Sequence, residues 1–107
     1  MEQRDTAVKE RIELKDRIKE PKQYLVYVLN DDFTPFDFVV YLMIQIFGKS
    51  EDEAWDIADH THHEGKGFVG RYSYDMAKTK TSKATAVSRD NGYPLSFTMI
   101  PEERNDK

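Results

Sequence analysis

Nine consecutive residues, Asn30-Asp31-Asp32-Phe33-Thr34-Pro35-Phe36-Asp37-Phe38, constrain the fold more than any other stretch of this chain. Asn and Asp are poor strand formers and good turn formers, because their short side chains bond nearby backbone N–H groups. The Thr-Pro-Phe-Asp run that follows reads as a helix start, with Thr34 as N-cap, Pro35 at the first helical position and Asp37 reaching back in a capping box. The chain must therefore stop extending and begin to coil within a few residues. Upstream, Tyr24, Val26 and Val28 alternate with Leu25, Tyr27 and Leu29, which predicts a strand buried on at least part of both faces. Downstream, Phe36, Val39, Val40, Met43, Ile46 and Phe47 recur at helical spacing, widened by Leu42 and Ile44, and Gly48 stops the helix. So much apolar surface serves a core and something besides.

A second capping box, Ser50-Glu51-Asp52-Glu53, opens a helix through Trp55, Ile57, Ala58 and Thr61 that runs out near Gly65. Gly67 to Tyr74 reads as a strand with Phe68, Tyr72 and Tyr74 in one phase and Val69 and Arg71 in the other. Asp75 is placed to cap a third helix through Met76, Ala77, Ala84 and Val87 to Asn91-Gly92, where Gly92 and then Pro94 stop it. Leu95 to Ile100 forms the last strand. The order βααβαβ predicts an α+β fold, a three-stranded, mostly antiparallel sheet packed on three helices.

At 107 residues the chain has room for one domain. Residues 1–22 alternate acids and bases, with Val8, Ile12, Leu14 and Ile18 as thin apolar punctuation, and read as a flexible charged arm that cannot build a core. The core domain is expected over residues 23–101, and a frayed tail over 102–107. With no cysteine, a thiolate nucleophile, a disulfide framework and a cysteine metal site are excluded. A net charge of −4 with interspersed signs lacks the basic stripe that nucleic acid requires. No run approaches the ~20 apolar residues of a membrane helix. A cytoplasmic monomer is the expectation.

Two groups of residues could carry chemistry. Asn30 and Asp31 set an amide and a carboxylate at a strand end beside an apolar helix, which makes a pocket rim or simply a turn. His60, His62 and His63, flanked by Asp59 and Glu64, invite a metal reading, but ligands on one helix need i,i+4 spacing and only His60 and His63 share a face. Asp31 and His62 form an acid–base dyad if the fold joins them, although no nucleophile accompanies them. No catalytic residue, metal or cofactor is assigned on this basis. A metal-binding or hydrolytic domain using Asp31 with His60, His62 and His63 stands as the competing reading. A structural domain similar to the C-terminal domain of the ribosomal stalk protein shares the same architecture.

From Tyr24 to about Pro101 the chain resembles the ClpS family. The resemblance rests on the NDDFTPFDF stretch, His62 followed by Gly65-Lys66-Gly67, Asp75-Met76-Ala77-Lys78-Thr79-Lys80, and Tyr93-Pro94-Leu95, in that order. It implies a non-catalytic adaptor that binds proteins by a free α-amino group and a large hydrophobic first residue, Phe, Tyr, Trp or Leu, and delivers them to a Clp-type unfoldase and its protease. By that resemblance Asn30, Asp31 and His62 receive the amine, Asp32 and Thr34 form the pocket edge, and Phe36, Val39, Leu42, Ala58 and Thr61 line its apolar part. Asp75, Thr79 and Lys80 would dock on the N-terminal domain of an unfoldase of the ClpA or ClpC type, where the family usually has Glu in place of Asp75. The family often carries Met where Phe36 and Ala58 stand and a small apolar residue at Thr61.

Overall fold

The computed structural model describes residues 22–103, so that most of the arm and the tail from 104 onward lie outside the described residues. The elements are β1 (Gln23–Leu29), α1 (Phe36–Gln45), α2 (Glu51–Glu64), β2 (Lys66–Ser73), α3 (Tyr74–Asp90) and β3 (Ser96–Pro101). The sheet order is β2-β1-β3 with both pairings antiparallel, as the βααβαβ reading expects. Val26 and Val28 of the central strand are wholly buried, while Leu25, Tyr27 and Leu29 on the opposite face stay partly exposed. Their buried face meets Val40, Leu42, Met43 and Phe47 of α1 and its C-terminal turn, Ala54 and Ala58 of α2, and Ala77 and Ala84 of α3 in one core. Among the described residues no helix is long and apolar enough to cross a membrane.

Helix ends are where the structure corrects the sequence. Pro35, with extended backbone, holds the N-cap position of α1, and no side chain caps the helix. Thr34 instead turns its hydroxyl upstream to Asp31. At the other end α1 stops at Gln45; Ile46 and Phe47 N–H both donate to Leu42 O, and Lys49 N–H donates to Met43 O across Gly48, whose φ of 67° suits only glycine. The Ser50–Glu53 capping box of α2 is present in both directions. The cap of α3 is Ser73, whose hydroxyl accepts from Met76 N–H; Asp75 lies inside the first turn, where its charge suits the helix dipole.

The strand Lys66–Ser73 carries a bulge that simple alternation hides. Val26 pairs with Gly70 but Tyr27 pairs with Phe68, leaving Val69 without a partner. Phe68 and Tyr72 therefore face opposite ways. Phe68 is 46 % exposed and meets Tyr27 edge-on at 5.6 Å, whereas Tyr72 lies beside Phe47 at 6.3 Å. Beyond the last strand, Glu102 N–H donates to Gln23 O and its carboxylate pairs with Arg71 at 2.8 Å.

Gly67 sits where α2 crosses β2. A Cβ there would collide with the Thr61 hydroxyl and approach Ile57 O at 3.0 Å. Gly67→Ala is expected to lower stability by about 1–3 kcal/mol through this overpacking, read as a lower urea midpoint; an unchanged midpoint would show that α2 yields freely at this crossing.

Candidate functional site

A cavity of about 240 Å³ opens where the end of β1, the start of α1 and one face of α2 converge on Leu95. Its polar rim is Asn30, Asp31, Asp32, Thr34 and His62, and its apolar wall is Phe36, Val39, Ala58, Thr61 and Leu95. The chain between β1 and α1 is held by Asp31. One carboxylate oxygen, Oδ1, accepts from the N–H groups of Phe33 at 2.8 Å and Thr34 at 2.7 Å, and Oδ2 accepts from the Thr34 hydroxyl at 2.8 Å. A carboxylate has about four lone-pair sites, so one on Oδ2 is left for a ligand. Partial burial raises the Asp31 pKa, but the N–H groups of Thr34 and Phe33, the Thr34 hydroxyl and the nearby Arg89 charge outweigh it and hold the carboxyl below its ordinary value.

Neighbouring contacts set the other rim groups. Asn30 N–H donates to Gly65 O at 2.9 Å, tying the end of β1 to the turn that closes α2, where Gly65 has a φ of 93°. His62, on the last turn of α2, is exposed and meets the Phe36 ring edge-on at 6.5 Å. Trp55 also packs on Phe36, at 5.0 Å. Thr61 donates its hydroxyl to Ile57 O at 2.7 Å, within its own helix, so its polar atom is satisfied and its methyl remains for apolar contact. Arg89 donates to Tyr93 O at 2.9 Å and Leu95 O at 2.8 Å, bracing the segment that brings Leu95 to the wall.

The site thus offers a carboxylate, an amide and an imidazole to a cation, next to an apolar recess. Comparison with known proteins supplies the family. Residues 19–98 match the family model for the ATP-dependent Clp protease adaptor protein ClpS. The chain belongs to the ClpS family. A ClpS adaptor of Myxococcus xanthus is 39 % identical over 99 residues, covering 92 % of each chain, and that of Phenylobacterium zucineum is 41 % identical over 85 residues, covering 79 % of this chain and 78 % of its relative. Among solved structures, Agrobacterium tumefaciens ClpS2 bound to L-phenylalaninamide superposes with a TM-score of 0.75 at 38 % identity, covering 78 % of this chain and all of that one. The protein is therefore an adaptor of the Clp protease, as its ClpS relatives are.

Within this ClpS fold nine of the ten residues expected at the pocket line the cavity. Leu42 does not; it is fully buried in the core and contributes nothing to the surface of the wall. Leu95 takes a place the sequence does not reveal, because its spacing fits the strand pattern equally well. Arg89 gives no sequence signal, since it reads as an ordinary surface residue of its helix, and Trp55 is read only as one of the apolar residues that define α2. Asp75 and Thr79 lie exposed one turn apart on α3, but Lys80 is turned away, donating to Ile46 O at 3.2 Å and lying over the Tyr72 ring at 5.8 Å. The metal reading is not met: among the described residues no three His, Asp or Glu groups gather, and His63 Nδ1 is engaged with Asp59 O at 2.9 Å.

The three bonds to Asp31 give a stability prediction. Asp31→Ala is expected to cost about 0.5–2 kcal/mol, the range for losing a capping carboxylate. Because the folded pKa lies below the unfolded one, this contribution is complete above the unfolded value of about 3.9 and is lost as pH falls through the folded value. The gap in urea midpoint between wild type and Asp31→Ala should hold between about pH 7 and 5 and narrow below about pH 4; a gap that widened on acidification would contradict the assignment.

Proposed function

We propose that this ClpS-family protein captures other proteins by their N-terminal residue in the cavity beside Asp31 and delivers them, unaltered, to a Clp unfoldase and its protease. The observation that supports this reading most is the joining of Asn30, Asp31 and His62 on one rim with Phe36, Val39, Ala58, Thr61 and Leu95 below it. An α-ammonium needs acceptors and a nearby negative charge. Asn30 offers a side-chain oxygen, Asp31 its remaining lone pair and full charge, and a neutral His62 a ring nitrogen. An internal residue of a folded chain has no such cation, so the rim selects ends. Asp32 adds a second carboxylate at the edge, and Thr34 keeps Asp31 oriented. The A. tumefaciens relative was solved with L-phenylalaninamide, a ligand that carries the same two features, a free α-amine and a benzyl side chain.

The apolar wall favours large flat side chains. Ala58 is small and nearly fully buried, which deepens the recess, while the Phe36 ring, held between Trp55 and His62, narrows the mouth against branching at Cβ. The protein supplies binding and proximity and no chemical step, so it requires no cofactor; ATP is consumed by its partner. Delivery uses the N-terminal domain of an unfoldase of the ClpA or ClpC type, with Asp75 and Thr79 presented on α3 and Lys80 serving mainly to hold α3 against the end of α1. The adaptor acts as a cytoplasmic monomer.

A peptide beginning with free Phe is expected to bind and its N-acetylated twin not to; Asp31→Ala and His62→Ala should each weaken binding about tenfold or more, as for one lost partner of a charged hydrogen bond. Titration by fluorescence anisotropy checks this, and equal binding of the twins would return Asp31 and His62 to turn-forming roles. In the same assay a Phe peptide should outcompete an Ile peptide, with equal affinities rejecting the role given to Phe36. Asp75→Lys should reduce co-capture with the N-terminal domain of a ClpA or ClpC unfoldase, and undiminished capture would place docking elsewhere.

A further inference from the structure

Trp55 is the single tryptophan of the chain, and it is 45 % exposed although its ring packs on a cavity residue. Its centroid lies 5.0 Å from that of Phe36, tilted by 39°, and it is not itself part of the cavity wall. It stands just outside the mouth. Along α2, Trp55, Asp59 and His62 are spaced i, i+4 and i+7 and so share one stripe of the helix. Between Glu51 and Asp59 this helix also carries Asp52, Glu53 and Asp56 and has no Lys or Arg. A partly exposed indole set among carboxylates is a surface that attracts a cation.

We propose that Trp55 forms a subsite for the second residue of a captured protein and favours a basic side chain there, arginine or lysine. The proposal rests on the N-terminal-residue reading above. With the amine at Asn30, Asp31 and His62 and the first side chain inside Phe36, the next side chain of an extended peptide points the opposite way. That direction is outward, and the subsite requires the peptide to leave over the side of the mouth where Trp55 packs on Phe36. A guanidinium stacks on the indole and stays within the field of Asp52 and Asp59, whereas a second-position Glu meets like charge.

The test compares peptides of one sequence that begin Phe-Arg, Phe-Ala and Phe-Glu with free amines, plus acetylated Phe-Ala, on wild type, Trp55→Leu and Trp55→Phe. Leucine keeps an apolar contact with Phe36 but has no π face, and phenylalanine keeps both. The readout is the ratio of affinities, which cancels any change common to all peptides. Wild type should prefer Phe-Arg over Phe-Ala by about two- to fivefold, the range of an exposed cation–π contact, with Phe-Glu weakest. Trp55→Leu should bring that ratio to about one and Trp55→Phe should retain part of it. Because Trp55 is the only indole, its emission should also change more with Phe-Arg than with Phe-Ala. Equal binding of Phe-Arg and Phe-Ala by wild type, or a preference that survives in Trp55→Leu, overturns the subsite while leaving first-residue recognition standing. Equal binding of Phe-Ala and its acetylated twin removes that recognition and the subsite with it.

Discussion

The Asp31 carboxylate is the joint on which the rest of the molecule turns. A strand that ends in solvent and a helix that begins a few residues later leave several N–H groups without partners. Asp31 satisfies two of them and the Thr34 hydroxyl besides, all within its own loop. The price of that compactness is a fixed geometry, and the geometry is what points Asn30, Asp31 and Asp32 at one cavity. Because the same carboxylate is held below its ordinary pKa and retains a free lone pair, the group that shapes the loop also places negative charge on the cavity rim.

Around this joint the remaining contacts work as braces. Asn30 N–H reaches Gly65 O, which ties the end of β1 to the turn that closes α2, three residues beyond His62. Arg89 spans from α3 to the carbonyls of Tyr93 and Leu95, and its charge also acts on Asp31. Lys80 reaches across to Ile46 O and so caps the C-terminal end of α1. The Asn30 and Lys80 braces join elements distant in sequence, while Arg89 fixes the short segment that carries Leu95 to the cavity wall. A recess built this way is preorganised, which reduces the ordering cost of binding whatever enters it.

Much of this architecture is legible in the amino-acid sequence alone. The element order, the antiparallel sheet and the Ser50 capping box follow from hydrophobic period and local side-chain chemistry, which are short-range properties. The rim residues are visible because two consecutive Asp beside Asn exceed what a turn needs, and because their order with His62 and Gly65-Lys66-Gly67 resembles a family. Other features depend on relations that one segment cannot display. Ser73 and Asp75 are both competent caps, and only the chain path decides for Ser73. Thr34 and Asp37 form a plausible capping box, yet Asp31 lies within reach of Thr34 and claims its hydroxyl. Leu42 and Leu95 are both apolar at sound spacing, and which of them meets the cavity depends on how α1 and α3 close over the sheet.

The bulge at Val69 has a bearing on how such an adaptor meets other chains. β2 is an edge strand, and a regular edge offers a ladder of free N–H and C=O groups to any extended peptide, whatever its sequence or charge. The extra residue interrupts that ladder midway, and the opposite edge strand, β3, is short and ends in a proline that has no N–H to give. Neither margin of the sheet is a good template for strand addition. An extended chain of arbitrary sequence is thus denied a continuous foothold on the backbone, which leaves recognition to side-chain surfaces such as the cavity beside Asp31.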